Sequence, residues 1–211
     1  MDRREERLIS LPLQNRVTPF GEIIADPSRG RFMGNRGGRL HNPATKTLTH
    51  RRWASKQWIC CKLAFKDRAR EVMSAGYTEL FFYDEAVALA AGHRPCFECR
   101  RSEAKHFAAC WAQSKGLSKP PKAGEMDQAL HAERLSKSEK RLHQAQCSAL
   151  PPLTFIAVEG EAFCLQDDHM RRWSLPGYGE RRMRPTGEVT LLTPPSIVEV
   201  LQAGYFQSAF S

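Results

Sequence analysis

No run in the chain approaches the roughly 18 consecutive apolar residues that a membrane-spanning helix needs, so a helical membrane protein is excluded. The amino terminus, Met1-Asp2-Arg3-Arg4-Glu5-Glu6-Arg7, lacks the apolar stretch of a secretory signal. The expected location is therefore the cytoplasm, with no membrane partner. No internal repeat is visible, which sets aside solenoid and propeller architectures. Acidic residues are in deficit, with 23 Asp and Glu against 32 Lys and Arg, giving a formal charge of +9. That balance favours polyanionic partners such as nucleic acid or an acidic membrane face, although solubility alone also accounts for an excess of one sign. The chain is not short of core material: 41% of its 211 residues are hydrophobic, which argues against disorder throughout. Cysteine is present at an odd count of seven. In a reducing compartment such thiols serve as packing groups or metal ligands rather than as a disulfide framework.

Four sections can be distinguished. Residues 1–49 hold short apolar stretches (Leu8-Ile9, Val17, Ile23-Ile24) broken by Pro12, Pro19, Pro27 and a glycine-rich run, which predicts strands and turns. Arg29, Arg31, Arg36 and Arg39 stand among those glycines, either as phosphate contacts or as solvated side chains on a turn. Residues 117–152 begin with a Pro-rich loop and continue as a charged helical pattern from Glu125 to about Gln146. On that helix Asp127 and His131, four apart, would share a face, as a second metal or acid–base site or simply as surface charge. Residues 153–211 are β-rich. Leu153–Val158 and Glu161–Leu165 form a hairpin across Glu159-Gly160, and a further strand lies around Met170–Trp173. Tyr178, Arg181, Arg182 and Arg184 follow, near Arg171, Arg172 and Trp173, either where bases stack and phosphates pair or as an exposed basic loop. Then come a strand from Glu188 and a short helix ending at Gly204.

Residues 50–116 carry the sharpest signals. A strand within Trp53–Phe65 contains the adjacent pair Cys60 and Cys61. A second strand, Thr78–Tyr83, is β-branched and aromatic, and Asp84 then offers an N-cap for a helix from Glu85 to Ala91 stopped by Gly92. His93-Arg94-Pro95-Cys96-Phe97-Glu98-Cys99 follows, a Cys-x-x-Cys turn in which both sulfurs can point at one ion about 2.3 Å from each. A helix with Ala104, Phe107, Ala108 and Trp111 on one side comes next. Thiolates on a small strand–knuckle–helix unit favour zinc over iron–sulfur clusters. A redox role for Cys96 and Cys99 lacks the βαβ setting of thioredoxin-like motifs. Cys110 and Cys164 read as buried packing groups.

The run Phe81-Phe82-Tyr83-Asp84-Glu85-Ala86-Val87-Ala88-Leu89-Ala90-Ala91-Gly92-His93-Arg94-Pro95-Cys96-Phe97-Glu98-Cys99 resembles the second half of the metal-binding domain of Ada-type methylphosphotriester DNA-repair proteins. The resemblance spans roughly residues 60–101, strongly over about twenty of them. It implies that Cys96 and Cys99 are two of four zinc thiolates. The chain departs from that family upstream, where a "Cys-Arg-Pro-x-Cys" segment is expected and adjacent cysteines stand instead. Adjacent residues on a strand point to opposite faces. Either one of Cys60 and Cys61 ligates, or a bulge turns both to the metal, or His50 or His41 supplies the missing ligand.

The sequence therefore predicts an α+β protein in which a small Ada-like zinc module sits between a loop-rich β amino-terminal segment and a β-rich carboxy-terminal part. The expected ligands of Zn2+ are Cys60, Cys61, Cys96 and Cys99. Arg94, Arg100 and Arg101, beside the knuckle, are the expected contacts to nucleic acid. A metal-dependent or cysteine-nucleophile enzyme and a purely structural interaction module are the competing functions.

Overall fold

A computed structural model of the chain describes residues 11–66 and 71–206, so the amino-terminal segment with Leu8-Ile9 lies outside the described residues. The molecule is α+β. One mixed sheet is built from β1 (Gln14–Val17), β2 (Ile23–Ala25), β3 (Phe32–Arg36), β4 (Trp58–Cys61), β5 (Leu80–Phe82) and β6 (Arg94–Pro95), in the order β2-β1-β5-β3-β4-β6. Pairing is antiparallel except for β1 with β5 and β4 with β6. Between this sheet and the next come α1 (Glu85–Ala90), α2 (Arg101–Ser114), α3 (Ala123–Arg134) and a two-stranded ribbon of β7 (Leu135–Ser136) and β8 (Glu139–Lys140). The second sheet is antiparallel throughout and runs β13-β12-β11-β10-β14-β9. Its strands are β9 (His143–Gln146), β10 (Phe155–Val158), β11 (Glu161–Leu165), β12 (His169–Ser174), β13 (Gly177–Met183) and β14 (Glu188–Leu191), and α4 (Pro195–Gln202) follows.

Local chemistry accounts for most of these elements. The Asp84 carboxylate accepts a hydrogen bond from Val87 N at 2.9 Å and starts α1, and Gly92, at φ +84°, ends it in the left-handed region. All six residues of α1 are buried, and its alanines let it pack closely. Ala86, Val87, Ala88 and Ala90 join one core cluster with Leu80 and Phe82 of the first sheet and Phe155, Ala162 and Cys164 of the second. Leu89 faces the other way, into a cluster with Phe107 and Trp111 of α2, Met126 and Leu130 of α3, and Ile197 and Val200 of α4. Cys110 and Cys164 are buried, as their apolar neighbours predict.

Two expectations need correction. The helix expected from Glu125 to Gln146 stops at Arg134. The Arg134 side chain turns inward there, donating to Gly92 O at 2.8 Å and Lys56 O at 2.7 Å, and Lys137, at φ +57°, turns the chain back as the β7–β8 ribbon. The basic segment after Gly177 is strand β13, not a loop, with Arg181 opposite Arg171 and Arg182 opposite Met170. Its cations pair with acids on the surface, Arg181 with Asp168 and Arg182 with Glu180.

The side-chain alternation of β3, β4 and β5 positions everything that follows. Cys61 lies opposite Met33, Cys60 opposite Gly34, Ile59 opposite Asn35, and Trp58 opposite Arg36. Met33, Asn35, Ile59, Cys61 and Phe81 therefore share one face of the sheet, and Gly34, Arg36, Trp58, Cys60, Leu80 and Phe82 the other.

Candidate metal centre

The strand parity decides which cysteine is available. Cys61 emerges on the face of Met33 and Ile59, where Cys96 and Cys99 join it in a small buried cluster. Cys60 enters the opposite face and is wholly buried against Leu80, Phe82 and Ala86. No bulge interrupts the β3–β4 register to bring both thiols to one side.

Cys96 is delivered by the parallel pairing of β6 with β4, its N–H donating to Cys60 O at 3.0 Å. The chain then folds into a knuckle in which Arg100 N donates to Cys96 O at 3.0 Å, and α2 begins at the next residue. Within that turn the Glu98 N–H points at Cys96 Sγ at 3.4 Å. The Cys99 N–H is also directed at Cys96 Sγ, and the Lys62 N–H at Cys99 Sγ. Backbone donors aimed at sulfur stabilise thiolates rather than thiols. The Sγ atoms of Cys61, Cys96 and Cys99 all lie within 4.8 Å of one another. Three thiolates about 2.3 Å from one tetrahedral ion would stand about 3.8 Å apart, so the triad is at the right spacing for a metal with little adjustment.

Electrostatics divides the four thiols in the same way. Cys96 is held below the ordinary thiol range because the Cys61 thiol donates to it, with the knuckle N–H groups adding to the effect. Cys61 is pushed up by making that donation and by burial, and Cys99 is raised first by burial. Cys60 is raised by burial and then by Glu85, against which the Arg100 guanidinium 3.5 Å away pulls only in part. Cys60 is thus a neutral core thiol, whereas within the triad Cys96 is favoured as a thiolate, with the Cys61 thiol as its donor.

The triad lines a cavity of about 460 Å³. Met33, Ile59, Phe65 and Phe81 form apolar walls, and Asn35 and Glu79 contribute polar groups. Glu79 is buried and accepts from Met73 N at 2.8 Å. Sequence reasoning missed Glu79 and Asn35 because neither stands in a motif; Asn35 is brought to the cavity by its β3–β4 register opposite Ile59, and Glu79 by its place just before β5. Among the described residues, the potential metal cluster consists of the three cysteines and no fourth group.

Neither histidine considered as a substitute ligand reaches the triad. His41 is buried with Nδ1 2.6 Å from Thr78 Oγ1 and Nε2 2.8 Å from Ser74 O, so both nitrogens are engaged. His50 is exposed and lines a separate surface depression with Arg51 and Trp53. The Asp127–His131 pair does not form either, since Asp127 is taken by Arg94 and His131 packs on the edge of Trp53 at 5.5 Å.

Of the three arginines expected to meet phosphates, two lie inside the protein. Arg94 is 1% exposed and binds Asp127 through both oxygens, Nε to Oδ1 at 2.9 Å and Nη2 to Oδ2 at 2.7 Å. Arg100 is 3% exposed and donates to Glu85 Oε2 at 2.6 Å, while Tyr205 donates to the other oxygen of Glu85 at 2.7 Å. Arg101 is exposed.

No family model, no curated protein and no solved structure matches this chain. Among the described residues, no helix is long and apolar enough to cross a membrane.

Proposed function

We propose that this is a zinc-binding protein whose ion is held by Cys61, Cys96 and Cys99, with a fourth coordination position directed into the adjoining cavity. The observation that carries the reading is the parity of β4, which leaves Cys60 in the core and three thiols beside an accessible cavity. Structural zinc sites are closed by four protein ligands, whereas reactive ones have three and leave a place for water or substrate. Zinc suits the donor set because it combines affinity for thiolate with tetrahedral geometry. Bound there, it would supply Lewis acidity and keep its thiolates deprotonated at neutral pH. The protein's part is to orient the three sulfurs through the β4–β6 pairing and the knuckle, and to present an apolar pocket beside them. Such a pocket admits a small ligand or the alkyl group of a larger one, which fits the cysteine-nucleophile alternative better than a purely structural clasp.

Cobalt substitution tests the open position. The d–d bands of the cobalt-loaded protein should shift when cyanide or imidazole is added. A tetrahedral spectrum that neither ligand alters would show a closed site and overturn this reading.

A nucleic-acid partner is a second reading, favoured by the exposed Lys62, Lys66 and Arg101 near the cysteines in sequence and by the net charge of +9. It does not run through Arg94 or Arg100, whose charges are already met by carboxylates.

A further inference from the structure

The opposite face of the first sheet borders a second cavity. A cavity of about 500 Å³ is lined there by Arg36, Arg52, Arg134 and Lys140 together with Trp58. Arg36 and Arg134 are 2% and 1% exposed, and both guanidiniums stack on Trp58, 4.0 and 3.9 Å from the ring centre. Lys140 is half-buried and donates to Ala90 O. Arg52 is exposed at the rim, with its carbonyl 3.4 Å from Arg36 Nη1. The packing is close: a Cβ on Gly92 would fall 2.7 Å from Arg134 Cδ.

Cations this deep are normally met by carboxylates, because burying an unpaired charge is costly. Here they are not. Among the described residues none of the four forms an ion pair. Asp127, whose field Arg134 feels, is committed to Arg94. Glu22 and Glu139 line the same cavity but are exposed. Backbone carbonyls satisfy several N–H donors, Gly21 O for Arg36 and Gly92 O and Lys56 O for Arg134, yet they do not neutralise charge. Arg134 Nε is buried and has no hydrogen-bond partner among the described residues. Burial, then Arg36 and Arg134, push Lys140 down to about 7. Burial, then Arg134 and Arg52, push Arg36 down to about 9. His93, buried beside Arg36, is driven well below its ordinary range by burial, then by Arg36 and Arg134, and so adds no charge of its own.

We infer that this cavity is an anion site for a phosphate dianion, free or at the end of a small phosphomonoester, held by Arg36, Arg134, Lys140 and Arg52. A dianion offsets most of the charge of the three inner cations, and the planar guanidinium fork matches phosphate oxygens. The volume suits a compact ligand. The depth of Arg36 and Arg134 favours a terminal phosphate over the phosphodiester backbone of a polymer, which would be kept at the rim with Arg52. The inference is independent of the metal reading, since the two cavities lie on opposite faces of β3 and β4.

The test is a titration of the full chain with inorganic phosphate, and separately with glycerol phosphate, against chloride at matched ionic strength, read by calorimetry and by Tm. The expected result is saturable binding that raises Tm, weakened about tenfold or more in both Arg52→Ala and Lys140→Met, as for loss of a charge-assisted contact. Arg52 is exposed, so its variant keeps the test valid if the Lys140 variant folds poorly. Tighter binding of glycerol phosphate would identify a phosphorylated small molecule as the source, and tighter binding of inorganic phosphate the free ion. Equal Tm in phosphate and chloride, or a phosphate effect that both variants retain in full, would overturn the proposal.

Discussion

Single residues decide both sites. Gly34 faces Cys60 across the β3–β4 pair, and a Cβ there would stand 2.1 Å from Ile59 O and 2.8 Å from Phe82 Cε2. Gly34→Ala must push β4 away, and overpacking of this kind costs about 1–3 kcal/mol or more. Because β4 carries Cys61, the same change should weaken metal retention. Urea unfolding and a zinc competition assay read the two effects, and an alanine variant with unchanged stability and affinity would contradict the stated packing. Lys140 makes a different prediction. Its folded-state pKa near 7 lies below the unfolded value, so the folded state binds fewer protons between the two. The penalty for its charge is complete below pH 7 and fades as pH rises toward the unfolded value. In chloride buffer, Lys140→Met should therefore be most favoured relative to wild type near pH 6 and lose that advantage by about pH 10. Arg36 and Arg134 surround position 140 in both proteins. His93, which also feels the Lys140 charge, is held well below its ordinary range first by burial and stays neutral at about pH 6 and above, so the pH-dependent part of the difference reports the loss of Lys140. A Tm difference independent of pH would contradict the assignment.

Among elements, the tie between β6 and α3 shows how far position in sequence misleads. Arg94, just before the knuckle, reads as a phosphate contact, but its fork closes on Asp127 and pins α3 to the strand that delivers Cys96. Removing one partner of a buried pair leaves the other uncompensated, so Arg94→Ala should cost about 3–5 kcal/mol in chemical denaturation. Its effect on the salt dependence of oligonucleotide binding should be negligible, in contrast to that of an exposed phosphate contact. A variant of native stability with a reduced salt slope would restore the sequence-based reading. The elements legible in the sequence are those governed by near neighbours: the Asp84 cap and Gly92 stop of α1, the Cys96–Cys99 knuckle, the apolar side of α2, and the β10–β11 hairpin. What could not be read depends on distant partners. The end of α3 is set by carbonyls of Gly92 and Lys56, and β13 exists because β12 pairs with it despite its run of arginines. The same holds for the candidate site. Cys96 and Cys99 declare themselves by spacing, but the choice between Cys60 and Cys61 needs the register with β3.

At the scale of the whole molecule, one sheet serves two cavities. Its core face is sealed by α1 and the second sheet, through the cluster that joins Leu80 and Phe82 to Phe155 and Cys164. At one end of that face Trp58 and its two arginines line the cationic cavity, and the reverse face presents the thiol triad. The α+β prediction and the placement of a thiol site near the middle of the chain agree with this arrangement. The second cavity was invisible in sequence because Arg36, Trp58, Arg134 and Lys140 come from four separate elements. The most direct measurement is zinc content by elemental analysis of the purified wild type and of the four single variants Cys60→Ser, Cys61→Ser, Cys96→Ser and Cys99→Ser. The geometry predicts about one zinc per chain in wild type, retained in Cys60→Ser and lost in each of the other three. A folded wild type without metal, or a Cys60→Ser variant that loses zinc while Cys61→Ser keeps it, would contradict the three-thiolate centre.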